Sequence, residues 1–241
     1  MNKQEKIVQM FNKIAPSYDL ANRILSFGID KSWRKEAVDF VLHKYSNQKI
    51  NIVDMACGTG DMISLWLSRP NRFGAVPKNI TGVDPSEEML KIARKKFERF
   101  HNVKFTCALG HESGCESGEA DIISISYGIR NVVERAQTLN EFNRILKIGG
   151  YLLVLEFTKR DKNGLMSYFR DFYLSKILPV IGGIISKNKE AYSYLPQSIE
   201  GFLDTNDFKS ELKAAGFQVE VARSFSFGIS TMFVAKKVVQ L

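Results

Sequence analysis

Cysteine is scarce in this chain and badly placed for metal or disulfide chemistry. Cys57, Cys107 and Cys115 are odd in number and show no CxxC spacing, and His43, His101 and His111 are scattered away from them. A disulfide framework or a metal centre is not expected, and a reducing, cytoplasmic setting is. Long hydrophobic runs are missing too. The most apolar stretch, residues 165–185, is interrupted by Arg170, Asp171 and Lys176 and carries Pro179 and Gly182-Gly183, so it is too polar and irregular to span a bilayer. The start, Met1-Asn2-Lys3-Gln4-Glu5-Lys6, has no apolar run behind it, so no signal peptide is expected. Acid is in short supply: 34 Lys and Arg stand against 26 Asp and Glu, a net charge of +8 that suits nucleic acid, an anionic membrane surface or acidic substrates. The remaining composition, 44% hydrophobic and 25% charged over 241 residues, is that of one large α/β domain with insertions.

What is present is a glycine turn between a strand and a helix. Val53-Asp54-Met55-Ala56-Cys57-Gly58-Thr59-Gly60-Asp61 reads as an apolar strand entering the turn, and Gly82-Val83-Asp84-Pro85-Ser86 as a second strand ending in an acid. Gly58 and Gly60 let a ligand lie against backbone at the carboxyl edge of an open sheet. Asp84, 24 residues after Gly60, is placed to accept hydrogen bonds from a ribose. A dinucleotide is disfavoured, because its third small residue is replaced by Ile63 and Asp61 sets a negative charge at the helix start, where phosphate would sit. S-adenosylmethionine has no phosphate but carries a cationic sulfonium and amino group, which Asp54 and Asp61 would attract. The competing reading is a plain turn with Asp61 as a helix cap.

Strand and helix alternate from there on, which argues a parallel sheet covered on both faces. Strands are expected at residues 50–55, 79–84, 103–108, 121–126 and 151–155, helices at 62–67, after Ser86 and over 139–146, the last ended by Gly149-Gly150. A helix over 208–215 closed by Gly216 and a hairpin of 219–222 with 231–236 complete the pattern. The expected division is one domain over 1–241: a helical cover (1–48) bearing Tyr18-Asp19, Asn22 and Trp33, a cofactor-binding core (49–158), a lid insertion (159–205) and a closing helix and hairpin (206–241).

Several motifs are more specific than the glycine turn. They are Tyr18-Asp19-Leu20-Ala21-Asn22-Arg23-Ile24-Leu25-Ser26 with Trp33, Ser126-Tyr127-Gly128-Ile129-Arg130-Asn131-Val132, Arg144-Ile145-Leu146-Lys147-Ile148-Gly149-Gly150-Tyr151, and Leu155-Glu156-Phe157-Thr158. Leu178-Pro179, Gly182, Tyr192, Tyr194-Leu195 and Ser198-Ile199 extend the match. With these the chain resembles the ubiquinone/menaquinone biosynthesis C-methyltransferases over nearly its whole length. The resemblance implies a class I, Rossmann-like fold with a mostly parallel seven-stranded sheet flanked by helices. It also implies S-adenosylmethionine held at Thr59, Asp84, Leu109-Gly110 and Ser126. The chain departs from the family pattern at Ala21, Asp30, Ile148 and Cys57, and most at Leu109-Gly110, where relatives place an acid or amide that contacts adenine.

The activity implied by resemblance is methylation of a ring carbon of a polyprenylated benzoquinol or naphthoquinol. Such a carbon becomes nucleophilic when the ring hydroxyl ionises, and a phenol does so only near about pH 10. An arginine beside the oxygen would stabilise the phenolate. Arg130, next to Asn131, is the expected one, with Tyr127, Tyr18 and Asp19 as candidates for orienting the ring or relaying its proton. His111 is a candidate for ligand contact, and His43 and His101 are expected on solvated helix faces or ends. Residues 165–185 read as a lid lining a channel for the prenyl tail and touching the inner face of the membrane, helped by Lys159, Arg160, Lys162, Lys187 and Lys189. Methylation of another lipid or small molecule, and a non-catalytic methyltransferase-like subunit, are the alternatives; nucleic acid is not an expected partner. Oligomeric state is left open, a homodimer included.

Overall fold

A computed structural model of the chain describes residues 1–159 and 189–238, with the side chains of 189–193 and Phe227 excepted. The expected lid over 165–185, the basic positions Arg160, Lys162 and Lys187, and the matches at Leu178-Pro179 and Gly182 lie outside the described residues.

Helices α1 (Lys3–Leu25) and α2 (Ile29–Leu42) precede an alternation of β1 (Lys49–Met55), α3 (Asp61–Ser68), β2 (Val76–Asp84), α4 (Glu87–Lys96), β3 (Val103–Cys107), β4 (Ala120–Ser126), α5 (Arg135–Ile145) and β5 (Leu146–Glu156). Beyond residue 188 come α6 (Lys189–Glu200), within the expected insertion, then α7 (Thr205–Ala214), β6 (Phe217–Phe225) and β7 (Ser230–Lys237). The seven strands form one sheet in the order β3-β2-β1-β4-β5-β7-β6. Strands β1 to β5 are parallel and β7 runs antiparallel between β5 and β6. From β1 the chain steps outward through β2 and β3, then returns to place β4 on the other side of β1, and that reversal leaves a crevice at the strand ends.

The central strands β1, β4 and β5 read as largely apolar runs because both faces are covered. Ile50, Ile52, Leu153 and Leu155 pack with Trp33, Val38, Ile63 and Trp66 of α2 and α3, whereas Val53, Ile123, Leu152 and Val154 pack with Phe142, Ile145, Phe208 and Leu212 of α5 and α7. Helix α1 opens with a capping box between Asn2 and Glu5 and buries Ile14, Ala15, Ala21 and Leu25 with Met89 and Ile199, so it lies on α4 and α6.

Several boundaries differ from the sequence expectation: β2 begins at Val76, α7 at Thr205, and β6 runs over Phe217–Phe225. Helix α5 stops at Ile145, and Gly149-Gly150 lies inside β5. Leu146 is fully buried and pairs with Ala120, so the strand begins there, and Gly149, at φ +80°, sits in the ladder where the register slips between Ala120 and Ile122.

Candidate active site

Strand β1 ends in a turn where Ala56, Gly58 and Gly60 all take positive φ, of +50°, +54° and +86°. Glycine is required twice over at Gly60, because a Cβ there would stand 2.3 Å from the Phe97 ring. The turn is pinned to β2: the Cys57 N–H donates to the Val83 carbonyl at 3.1 Å and the Gly58 N–H to Asp84 Oδ2 at 2.8 Å. Asp84 Oδ1 accepts the Ser86 N–H at 2.8 Å. Burial pushes the Asp84 carboxyl up to about 6, against the pull of these two amides. Asp54 is 1% exposed, and burial raises it to about 7 although the Ser124 hydroxyl donates to its Oδ1 at 2.6 Å. Trp66 Nε1–H occupies Ser124 Oγ at 2.9 Å, so the one Ser124 proton is directed to Asp54.

A pocket runs along these strand ends from Gly58 past Asp84 and Ser86 to Leu109 and Gly110, with Ser126 and Thr138 in its wall and Ile7 and Phe11 of α1 over it. Beside it lies an apolar cavity of about 330 Å³ lined by Ile14, Leu25, Trp33, Phe157, Leu195 and Ile229. Phe11, Tyr18 and Tyr127 are walls of both. Tyr127 has φ +59°, hydrogen-bonds Ser230 Oγ at 3.1 Å and stacks on Phe157 at 4.6 Å between ring centroids.

Arginines bound the apolar cavity. Arg130 Nη1 donates to Glu156 Oε1 at 2.6 Å and to the Tyr127 carbonyl at 2.7 Å, and its Nε to Ser198 Oγ at 3.2 Å, with Glu156 fully buried. Arg34, 6% exposed, pairs with Asp30 and lies 4.9 Å over the Tyr127 ring. Burial works against its charge, but Tyr127, Asp61 and Asp30 outweigh that and raise its pKa. Arg23 bridges Asp30 and Asp61. Among the described residues, four buried side-chain polar atoms have no partner: Arg34 Nε, Asp54 Oδ2, Ser126 Oγ and Thr138 Oγ1. All four residues line these pockets or the small one that joins them at Gly58. Orphaned polar groups collected at one place mark a surface built for a ligand.

The ubiE/COQ5 methyltransferase family matches residues 1–237. The chain belongs to this family. A ubiquinone/menaquinone biosynthesis C-methyltransferase from Campylobacter jejuni is 56% identical, the match covering 98% of this chain and 100% of the relative. A demethylmenaquinone methyltransferase from Thermus thermophilus is 38% identical over 95% of this chain and all of the relative. A solved SAM-dependent methyltransferase from Thermotoga maritima shares the fold with a TM-score of 0.62 at 21% identity, covering 96% of this chain and 99% of that one.

In this ubiE/COQ5 methyltransferase the structure gathers the sequence candidates on two adjoining walls. Asp54, Gly58, Thr59, Asp84, Leu109, Gly110 and Ser126 line the strand-end pockets, with Gly60 next to them at the start of α3. Tyr18, Tyr127, Arg130 and Asn131 surround the cavity junction, Asn131 accepting the Tyr194 hydroxyl at 3.1 Å. Asp19 is engaged elsewhere, accepting the Thr59 hydroxyl at 2.6 Å and so tying α1 to the glycine turn. Asp61 is not a free anion: Arg23 pairs with it and Lys96 Nζ stands 3.7 Å away. His111 lines the strand-end pocket, and His43 is exposed, its ring against Phe73. Sequence reasoning missed Arg34, Glu156 and Thr138. Glu156 carried a signal, an acid at the end of a wholly buried strand, which demands a cationic partner. Arg34 directly follows the Trp33 that ends the first motif.

Proposed function

We propose that the protein transfers a methyl group from S-adenosylmethionine to a ring carbon of a polyprenylated quinol, with the strand-end pocket taking the cofactor and the apolar cavity the substrate. The observation that carries this reading is the pairing of a pocket lined by orphaned polar atoms with a larger apolar cavity across the shared walls Tyr18 and Tyr127.

The residues present fit the cofactor. Asp84 retains carboxylate lone pairs beyond its two backbone partners and would accept a ribose hydroxyl. Asp54 Oδ2 and Ser126 Oγ are orphaned beside the glycine turn, where the amino acid end of the cofactor brings donors. The base would be held at the Leu109–Gly110 end of the pocket, where these two residues offer only backbone polar groups. Thr138 Oγ1 is the buried side-chain group at that end without a partner, and a Cβ on Gly110 would lie 2.9 Å from Thr138 Cγ2, so the missing side chain leaves room for the threonine. When bound, the sulfonium supplies an electrophilic methyl whose bonding electron pair stays on sulfur. The chain's part is to hold an electron-rich ring in line with that methyl, to stabilise the ionised ring hydroxyl, and to exclude water. Tyr127, fixed by Ser230 and Phe157, and Tyr18, whose hydroxyl burial keeps protonated, would bound the ring. The Arg130–Glu156 pair holds the 129–131 turn against β5 and so places Asn131.

The test is to incubate the full chain with methyl-labelled cofactor and, in parallel, demethylmenaquinol and a demethylated ubiquinol precursor in detergent under reductant. Label entering the ring of either quinol is the expected result. Cofactor binding without transfer to either would overturn the quinol reading.

A further inference from the structure

We infer that the ionised ring hydroxyl is held by Arg34 of α2, with Arg130 a positioning residue. This deepens the proposed function and rests on it for the identity of the substrate. Three observations on the page separate the two arginines. The Arg130 charge is matched within 2.6 Å by Glu156, a carboxylate with no exposure, and its Nε and Nη1 are both engaged with protein. Arg34 shares its acid: Asp30 pairs with Arg23 as well, and Arg34 Nε is a buried donor with nothing to donate to. An unpaired donor on a buried cation is costly to keep unless a ligand acceptor completes it. Placement agrees, since Arg34 lines both the apolar cavity and the small pocket beside Gly58 and Ser126, and therefore stands where substrate and methyl donor meet.

The groups facing Arg34 are Asp30 on its own helix, Tyr18 of α1, Asp54 of β1, Asp61 at the start of α3 and Tyr127 after β4; Arg23 reaches it through Asp30, and Arg130 lines the same cavity. Because Arg34 and Arg23 share the one carboxylate of Asp30, an added oxyanion meets an Arg34 guanidinium whose Nε has no partner. The hydroxyl proton leaves to buffer and its electron pair stays on the ring oxygen.

A nitrophenol carrying an alkyl chain reports this directly, because its absorbance changes on ionisation and it needs no methyl transfer. Titrated in the presence of S-adenosylhomocysteine, the probe bound to the wild-type protein should ionise at least one pH unit below its value in detergent alone. Arg34→Gln should abolish that shift, Arg34→Lys should keep part of it, and Arg130→Gln should leave most of it. In the methylation assay Arg34→Gln should lower kcat at neutral pH by about 30-fold or more and move the rising limb of the kcat–pH profile upward. An unshifted probe in the wild type, or the same shift in wild type and Arg34→Gln, overturns the inference. A probe shift lost in Arg34→Gln while the wild type methylates neither quinol sustains Arg34 as the phenolate-binding residue and overturns only the substrate. Arg34→Lys retains the cation beside Asp30 and serves where Arg34→Gln fails to fold.

Discussion

Asp54 is a buried carboxyl with one oxygen satisfied and one bare, and it makes the free protein less stable than it could be. Its carboxyl ionises at about 7 in the folded chain against an ordinary 3.8. Between those values the folded state holds more protons than the unfolded one, so the stability this group contributes is complete below the ordinary value and lost as pH rises through about 7. A cationic ligand reverses the balance, because ionised Asp54 then has a partner. Asp54→Asn keeps an acceptor for the Ser124 hydroxyl and removes the charge. It should stabilise the ligand-free protein at pH 8 by roughly 1–3 kcal/mol, an advantage that narrows toward pH 5, while weakening S-adenosylmethionine at pH 8 by about tenfold or more. Urea melts at the two pH values and calorimetry read the two halves separately; a variant less stable than wild type at pH 8 would show that Asp54 carries no such strain. Thr138→Val tests the base end of the pocket in the same way: it should weaken the cofactor about fivefold with little change in the melt, as expected for one hydrogen bond. Unchanged affinity in calorimetry would remove Thr138 from the pocket's function.

At the scale of the element, the turn from β1 to α3 depends on two glycines for different reasons. Both have positive φ, but a Cβ on Gly58 meets nothing within 4 Å whereas one on Gly60 enters the Phe97 ring. Gly58→Ala should therefore cost about 1 kcal/mol of backbone strain, and Gly60→Ala that plus about 1–3 kcal/mol of overpacking. In denaturant melts, Phe97→Leu should relieve part of the Gly60→Ala loss and none of the Gly58→Ala loss; equal relief in both would sink the assignment. This turn was legible in the sequence because its signals are local: two glycines, an apolar strand before them and an acid ending the next strand. Strands β1, β4 and β5 were legible for a related reason, since burial on both faces leaves an apolar run that needs no tertiary information. The start of β5 was not, because Gly149-Gly150 is the ordinary signature of a helix end and only the pairing of Leu146 with Ala120 overrides it. Arg34 was hidden more deeply. On α2 it is one of several basic residues, and what distinguishes it, the sharing of Asp30 with Arg23 and the missing partner at Nε, exists only once α1 and α2 lie against the sheet edge.

Across the whole molecule, α1 shares with the 127–131 segment the lining of both pockets. Gln4, Ile7 and Val8 wall the strand-end pocket, Met10, Ile14 and Leu25 the apolar cavity, and Phe11 and Tyr18 both. Among the described residues, polar clamps fix the helix to the core at Gln4 to Val133, Asn12 to Ser86, Asp19 to Thr59 and Arg23 to Asp61. The clamps end on Ser86 after β2, on Thr59 and Asp61 at the turn between β1 and α3, and on Val133 after the 129–131 turn, so the helix cannot shift without moving both walls. Asn12, like Asp19 and Arg23, lines neither pocket, and its Oδ1 accepts the Ser86 hydroxyl at 2.7 Å and the Glu88 N–H at 3.4 Å. Asn12→Ala removes that latch while Ser86 remains the cap of α4 through the Met89 N–H. Losing it is worth about 1 kcal/mol, too little to unfold a domain of this size. It should nevertheless raise the cofactor Kd and the quinol KM together, each about three- to tenfold, because one loosened helix forms part of both surfaces. A substitution on the far face of α1, such as Lys13→Ala, should change neither. If Asn12→Ala raises only one of the two constants, the pockets are walled independently, and α1 serves as a cover for one and a bystander to the other.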